Sequence, residues 1–464
     1  MTQADVIAAF VDRDFPRETE FLAELVRVPS DNPPGDCAAH AKRARQLLDR
    51  LGLAVETHEV PRAAVEAAGM KSVTNLIVRH RFGDGLVVAL NAHGDVVPPG
   101  LGWRLDPYGA VIEDGAHGPV MYGRGVAVSK SDFASYTWAL LALKAAAVQG
   151  GKLGGTLELH FTYDEEAGGI VGPKWLLDQG LVRPDAVIAA GFSYSVVTAH
   201  NGCLHLEVTV TGKQAHAAMP EAGVDALEAT NAILAALYAH RATLPRIRSG
   251  TAGIVSPTLN VGLIKGGINT NVVPDQVVFR IDRRVIPEEN PAEVEAELRE
   301  LIATSARHNL QIKVAVRQLL SAAPLRPQPG TDRIVAAIQR RAKQILGVDA
   351  PVTGVPLYTD ARHYAAAGIP IVLYGAGPRS IREANAHDAN ENLRLDDLRA
   401  ATKIVALAVR FVRGRARSCL TRQSRCTAVA AVGLRQRSPF SFSLRSSTTF
   451  HTNGGKMCAP RRAH

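Results

Sequence analysis

A short apolar run, Val87–Ala92, ends abruptly in the polar triplet His93-Gly94-Asp95, and this junction constrains the fold more than any other feature. Apolar and β-branched residues in a run of this length predict a buried strand. In open α/β sheets, ligands and metals collect where such strands end. When one nitrogen of an imidazole binds a metal, a nearby carboxylate can accept a hydrogen bond from the other nitrogen and so fix the tautomer. His93 and Asp95 are therefore a candidate metal motif.

Helical and strand-like patterns alternate through the first 190 residues. Such alternation predicts a mostly parallel sheet that is covered by helices, an α/β architecture. The predicted helices span 16–28, 36–51, 131–149 and 173–179, and the predicted strands span 53–60, 75–80, 87–92, 156–163 and 186–190.

The pattern changes near residue 202, where Leu204–Thr211 alternates strictly between apolar and polar residues, as a strand with one face in water does. Helices at 226–240 and 291–308 and strands at 259–264, 277–282 and 311–316 follow. This segment predicts an inserted α+β domain, after which the β/α pattern returns. The predicted division is 1–201 and 319–412 for the two parts of a catalytic domain, 202–318 for the insert, and 413–464 for a basic tail.

The net charge of +9 belongs to the tail. Eleven of the 53 Lys and Arg residues, and none of the 44 Asp and Glu residues, lie beyond position 412, so residues 1–412 carry a net charge of −2. We therefore expect a disordered tail and no nucleic-acid partner. The sequence has neither an apolar run of the roughly 18 residues that a membrane span needs nor a signal-like start, which predicts a cytoplasmic protein without a membrane partner.

Two further motifs contain side chains that could bind a metal or transfer a proton. Asp164-Glu165-Glu166 follows a predicted strand and is closed by two glycines, and His387 lies in the loop after Gly375-Ala376-Gly377. Adjacent carboxylates can divide roles, one binding a metal while the other accepts a proton. Each motif alone is also compatible with a solvated acidic turn or an ordinary loop histidine.

Together and in this order, the motifs resemble the co-catalytic zinc amidohydrolases and peptidases that include acetylornithine deacetylase, succinyl-diaminopimelate desuccinylase, aminoacylase and carboxypeptidase G. The resemblance covers roughly residues 15–412. It implies a homodimer that hydrolyses amide bonds in N-acylated amino acids or short peptides. It rests on Leu25–Ser30, His93–Asp95, Gly123–Gly125, Asp164–Glu166, Gly212–His216, Gly266–Asn271 and His387.

The resemblance also implies roles for individual residues. His93, Glu166 and His387 correspond to metal ligands, Asp95 to the partner of the first histidine, and Glu165 to the general base. Zinc is the expected metal, as one or two ions, with cobalt or manganese as alternatives.

Residues of the insert are expected to act on the substrate. His216 would reach the active site of the partner subunit and stabilise the tetrahedral oxyanion, which makes the insert a dimerisation domain. Asn271 and Arg284 would bind the substrate carboxylate, for which a bidentate guanidinium is suited, together with Gly375 and Gly377. An ordinary surface ion pair is the alternative for Arg284.

The sequence departs from the family at two metal ligands. Val128 stands where the family has a bridging Asp, and Gly191 stands where it has Glu or Asp. Three interpretations follow. The three remaining ligands could hold one ion, Asp132 could replace the bridge from one helical turn away, or the chain could be a non-hydrolytic relative that binds such ligands without a metal.

Overall fold

The computed structural model describes residues 2–150, 153–307 and 310–412, without the side chains of the last two residues. The predicted tail, 413–464, lies outside these described residues. None of the described helices combines the length and the hydropathy that are needed to cross a membrane.

Helices and strands alternate over most of the described chain. The helices are α1 (Gln3–Val26), α2 (Ala38–Arg50), α3 (Arg62–Ala67), α4 (Lys130–Val148), α5 (Pro173–Asp178), α6 (Ala226–Thr243), α7 (Pro291–Ala306), α8 (Asp332–Leu346), α9 (Ala361–Ala366) and α10 (Leu395–Val412). The strands are β1 (Val55–Glu59), β2 (Thr74–Arg81), β3 (Val87–His93), β4 (Val111–Gly115), β5 (Gly118–Tyr122), β6 (Thr156–Thr162), β7 (Ala186–Ala189), β8 (Val196–His200), β9 (Gly202–Thr211), β10 (Thr258–Gly266), β11 (Gln276–Val285), β12 (Lys313–Ala322), β13 (Val352–Val355), β14 (Ile371–Leu373) and β15 (Asn392–Arg394).

The largest sheet has eight strands in the order β1-β2-β6-β3-β7-β14-β8-β13. Its centre is parallel from β6 through β3 and β7 to β14, and β13 also runs parallel to β8. The β1–β2, β2–β6 and β14–β8 pairs are antiparallel. The predicted α/β class is confirmed, with antiparallel pairing added away from the parallel centre.

Strand β3 is buried on both faces, which explains its almost continuous apolar sequence. Successive residues point to opposite faces. Leu90 lies in the large apolar cluster that includes Phe133 of α4, whereas Ala89 packs in the cluster on the other face with Tyr364 of α9. The sheet is therefore a middle layer between two layers of helices, and functional groups collect at its strand ends.

The inserted segment forms a separate four-stranded antiparallel sheet in the order β10-β11-β9-β12. Leu204, Leu206 and Val208 on one face of β9 share an apolar cluster with residues of α6 and α7. The alternate residues of β9 lie on the opposite face, as the strict alternation predicts. A third, three-stranded sheet of β15, β5 and β4 was not predicted.

Candidate active site

Residues at the ends of four central strands, most of them polar, line one cavity of about 360 Å³. This is the edge of the sheet at which α/β proteins place ligands. His93 ends β3, Glu165 and Glu166 follow β6, Gly191 follows β7, and His387 lies in the loop after β14.

The His93 ring is oriented by Asp95. Its Nδ1 atom lies 3.0 Å from the backbone oxygen of Asp95 and 3.4 Å from Oδ1 of the same residue. Nδ1 therefore donates to Asp95, and Nε2, 4.0 Å from Oε2 of Glu165, is the nitrogen that a metal could bind once it is deprotonated. Although burial lowers the pKa of His93, the hydrogen bond that the ring donates to Asp95 and the nearby carboxylate charges raise it well above its usual range.

The Asp95 carboxylate also anchors the acidic motif. Its Oδ1 accepts the backbone N–H of Glu165 over 3.2 Å, and its Oδ2 accepts that of Glu166 over 3.1 Å. The side-chain amide of Asn32 donates to Oδ2 over 3.0 Å. One buried carboxylate thus fixes the histidine and both glutamates relative to one another.

The two glutamates and His93 form a potential metal-binding group. One ligand atom from each of these residues lies within 4.8 Å of the other two. Burial raises the pKa of Glu165 to about 7, and the negative charge of Glu166 adds to this rise. Oε1 of Glu166 is buried, and His387 Nε2 lies 3.2 Å from it. The angles of this contact do not make a hydrogen bond, and no other described residue donates one to Oε1. A buried acceptor in this state is what a bound cation would satisfy.

His387 reaches the cavity from a strained loop. Its φ angle is 65°, in the left-handed region that histidine tolerates better than most residues. The side chain is 48% exposed, and the interaction with Glu166 raises the pKa of its ring. Arg124 secures the loop, donating to Oε2 of Glu391 over 2.7 Å and to the backbone oxygen of Asp388 over 3.2 Å.

The two positions at which the family resemblance implies further metal ligands offer no donor. Val128 lines the cavity with an aliphatic side chain. A Cβ atom at Gly191 would lie 2.9 Å from the backbone of Leu373 and Tyr374, so any side chain there would displace β14. His93, Glu166 and His387 therefore fit one metal ion, and positions 128 and 191 provide no donor for a second one.

Asp132 is engaged elsewhere. Its Oδ1 accepts the backbone N–H of Ala376 over 2.7 Å, and Gly375 packs directly against the carboxylate. Burial raises the pKa of Asp132 to about 7, while hydrogen bonds from the Ala376 and Gly191 backbone oppose that rise. The carboxylate lines the cavity but serves as an acceptor for the loop that follows β14.

The predicted substrate-binding residues divide into those that line the cavity and those that do not, and Gly375, which packs against Asp132, belongs to the second group. Arg284 and Gly377 line the cavity, and Arg284 also forms a bidentate pair with Asp282, both N–O distances being 3.0 Å. His216 and Asn271 are exposed and are not among the lining residues. They are neighbours, because Ala217 next to His216 donates its N–H to the backbone oxygen of Asn271 over 3.0 Å.

The sequence reasoning missed Tyr358, Thr359 and Asp360, which line the cavity from the segment between β13 and α9. Both carboxyl oxygens of Asp360 are buried without a hydrogen-bond partner in the described part of the chain, and burial raises the pKa of this group well above its usual range. These residues follow the carboxyl end of β13. His93 was predicted as a site residue because it lies at the carboxyl end of a strand, and the same rule would have predicted these residues if β13 had been recognised.

Related proteins cover almost the same length. Succinyl-diaminopimelate desuccinylase from Wolinella succinogenes is 25% identical over 404 residues, 85% of this chain and 99% of that protein. Acetylornithine deacetylase from Myxococcus xanthus is 29% identical over 375 residues, 79% of this chain and 90% of that protein. The solved structure of the di-peptidase Dug1p from Saccharomyces cerevisiae superposes with a TM-score of 0.71 at 16% identity, over 89% of this chain and 99% of that one, which shows the shared fold.

A family model described as peptidase family M20/M25/M40 matches residues 89–410, which is more than half of the chain. The matched stretch contains every cavity residue described above, and the family resemblance drawn from the sequence is confirmed. This chain belongs to peptidase family M20/M25/M40, a family of metal-dependent hydrolases that act on amide and peptide bonds.

Proposed function

We propose that this chain hydrolyses the amide bond of an N-acylated amino acid or short peptide with a single divalent metal ion, zinc in the first instance. The observation that carries the proposal is the convergence of His93, Glu166 and His387 on one cavity in which the other two ligand positions hold no donor. Two histidines and one carboxylate are a known catalytic zinc set that keeps a fourth position open. Cobalt or manganese could take the same place.

Glu165 is the general base in this proposal. A bound divalent ion would lower the pKa of water and polarise a carbonyl oxygen. Glu165 has a pKa of about 7 because it is buried, so it can accept a proton from the attacking water and return it to the leaving amine near neutral pH. Asp95 keeps Glu165 in place through the backbone N–H.

The substrate class follows from Arg284. Arg284 lines the cavity, and although its Nε and Nη2 atoms pair with Asp282, the Nη edge of a guanidinium can bind a second carboxylate. We infer a substrate with a free carboxylate next to the scissile amide. The names of the relatives describe removal of a succinyl or an acetyl group, and both acyl groups belong in a first substrate panel.

We further propose that residues 202–318 form a dimerisation domain and that the active site is shared between subunits. The support is the position of His216 and Asn271, which are exposed and lie outside the cavity of their own chain. The separate sheet and the separate apolar cluster of this segment support its treatment as a domain.

Mixing two inactive variants tests this sharing. His216→Ala lacks the oxyanion donor, and Glu165→Gln lacks the base. If His216 serves the partner's site, a mixed dimer holds one complete site, and random re-association restores about a quarter of the wild-type activity. If the mixture stays as inactive as its components, although mixed dimers form, His216 does not act across the interface.

The hydrolase proposal is tested by metal content and turnover together. Purified chain is assayed against N-succinyl and N-acetyl amino acids and dipeptides, and the metal bound per chain is measured by mass spectrometry. We expect His387→Ala to lose one bound ion, and Glu165→Gln to keep the ion but lose activity by about 10²–10⁴-fold. If the chain holds no metal even after incubation with zinc, binds these compounds in calorimetry and turns none over, it is the non-hydrolytic relative instead.

A further inference from the structure

Three potential metal ligands meet on the four-stranded sheet, on the face opposite α6 and α7. The proposed hydrolysis does not use them. Cys203 and His205 are two residues apart on β9 and so share a face. Asp282 on β11 is paired in register with His205. The Cys203 Sγ atom lies 3.1 Å from His205 Nε2 and 3.9 Å from Asp282 Oδ1, and His205 Nε2 lies 3.3 Å from Asp282 Oδ2.

We propose that Cys203, His205 and Asp282 form a second metal site, for a thiophilic divalent cation such as Zn²⁺. With ordinary zinc–sulfur, zinc–nitrogen and zinc–oxygen bond lengths, ligand atoms around a tetrahedral ion lie about 3.3–3.6 Å apart. The three observed distances bracket this value, so small side-chain adjustments bring the atoms into coordination distance. Thiolate, imidazole and carboxylate together favour zinc over magnesium or calcium.

The surroundings of the cluster favour a bound ion. Arg284 holds Asp282 through both carboxylate oxygens, and it can keep one oxygen when the other binds a metal. Although burial raises the pKa of Asp282, the hydrogen bonds from His205 and Arg284 lower it overall. His205 also lines the main cavity, so a metal ion can reach the cluster from there.

Metal binding at this site must release a proton. Cys203 is buried, and its burial raises the pKa of the thiol to about 12. The S–H bond breaks as the sulfur–metal bond forms, and the proton leaves to the solvent. The site shares no residue with the His93, Glu166 and His387 group, so this inference does not depend on the proposed hydrolysis.

Cobalt distinguishes the two sites, because only this one contains sulfur. The test uses the full chain with Cys419→Ser, Cys426→Ser and Cys458→Ser, since those cysteines could also bind cobalt. After removal of metal with a chelator, Co²⁺ is titrated and the thiolate-to-cobalt charge-transfer band in the near ultraviolet is recorded. We expect the final intensity of the band to correspond to one thiolate-bound Co²⁺ per chain, and to be reached by about two added equivalents because the proposed catalytic site takes up the other ion.

Substitutions assign the band to its ligand. Cys203→Ser abolishes it, whereas Cys37→Ser, at the other buried free cysteine of the described residues, leaves it unchanged. His205→Ala, a second variant that keeps the thiol, weakens cobalt binding at the band-producing site at least tenfold. His387→Ala keeps the band, which separates this site from the proposed catalytic one. The absence of a sulfur band in the parent chain, or its survival in Cys203→Ser, overturns the proposal.

Discussion

The carboxylate of Asp95 accepts the backbone N–H of Glu165 over 3.2 Å, so the histidine motif at the end of β3 positions the glutamates at the end of β6. The two residues are 70 positions apart and meet because β3 and β6 are parallel neighbours. The same carboxylate contacts the His93 ring and the Glu166 backbone. Its role in this arrangement is to position the groups that face the cavity.

Asp95→Asn is expected to weaken metal binding and lower kcat/KM, each by about 10–100-fold, the usual effect of removing a ligand's orienting partner. The amide keeps one acceptor oxygen, but its NH₂ group faces a backbone N–H that it cannot satisfy. Metal titration and steady-state kinetics measure both effects.

Asp185→Asn is the matched control for that change. Asp185 also accepts a backbone N–H, from Val87 at the other end of β3, over 2.9 Å. It lies outside the residues that line the cavity. Equal losses in the two variants, or normal metal affinity in Asp95→Asn, would contradict the positioning role.

Asp132→Ala tests whether this residue is a metal ligand or a support for the loop after β14. The substitution leaves the N–H of Ala376 buried without its acceptor, which costs about 1–3 kcal/mol of unfolding free energy. We expect this loss of stability in urea denaturation, with metal content unchanged. Ser135→Ala, one turn along the same buried helix, is the control and should change little. Loss of a bound ion from Asp132→Ala would restore Asp132 as a bridging ligand.

The local spacing of apolar residues predicted helices and strands whose pattern is set within their own sequence. The helix predicted over 131–149 is α4 at Lys130–Val148, and the strand predicted over 156–163 is β6 at Thr156–Thr162. The helix predicted from residue 16 in fact begins at Gln3, because a capping box at Thr2 and Asp5 starts it and Pro16 is accommodated inside it. Proline is disfavoured inside a helix, so Pro16 wrongly suggested that the helix could not extend to residues before it.

Contacts between distant segments were not predictable in the same way. Strand β5 pairs with β15, so that Met121 opposes Leu393, and neither short run has a distinctive pattern. The cluster of Cys203, His205 and Asp282 depends on the register between β9 and β11. That register is set by packing of the opposite, apolar face, which a motif search does not read.

Val128→Asp should move the site toward a two-ion arrangement. The new carboxylate would enter a cavity that already contains Glu165 and Glu166, so we expect the metal-free variant to be less stable than the wild type. Zinc should then raise its melting temperature more than it raises that of the wild type, because the ion binds only the folded state. Thermal melts with and without zinc, together with metal content, measure this.

Val128→Asn is the matched control, since it has the shape of Asp without the charge. Gly191→Glu should not complete the site, because its Cβ would lie 2.9 Å from the backbone of Leu373 and Tyr374. If Val128→Asp and Val128→Asn respond identically to zinc, position 128 does not face the ion.

His200 should make stability depend on pH. The ring is buried at the end of β8, Nδ1 donates to the backbone oxygen of Asn201 over 2.8 Å, and Nε2 has no hydrogen-bond partner in the described structure. Burial lowers the pKa of His200 from 6.5 to about 3, and the nearby positive charge of Arg362 adds to this effect. Protonation would therefore bury an uncompensated charge.

The direction of the effect follows from proton uptake. Between pH 6.5 and about 3 the unfolded chain binds a proton at His200 that the folded chain does not, so unfolding free energy falls as pH falls and is unaffected above pH 6.5. At pH 5 the expected loss is about 2 kcal/mol relative to pH 7.5. His200→Gln should remove this part of the pH dependence in urea denaturation, whereas His117→Gln, at an exposed turn, should retain it. If His200→Gln showed the full wild-type pH dependence, the folded protein would already accommodate the charged ring, and the acid sensitivity of the fold would have to arise from other buried groups.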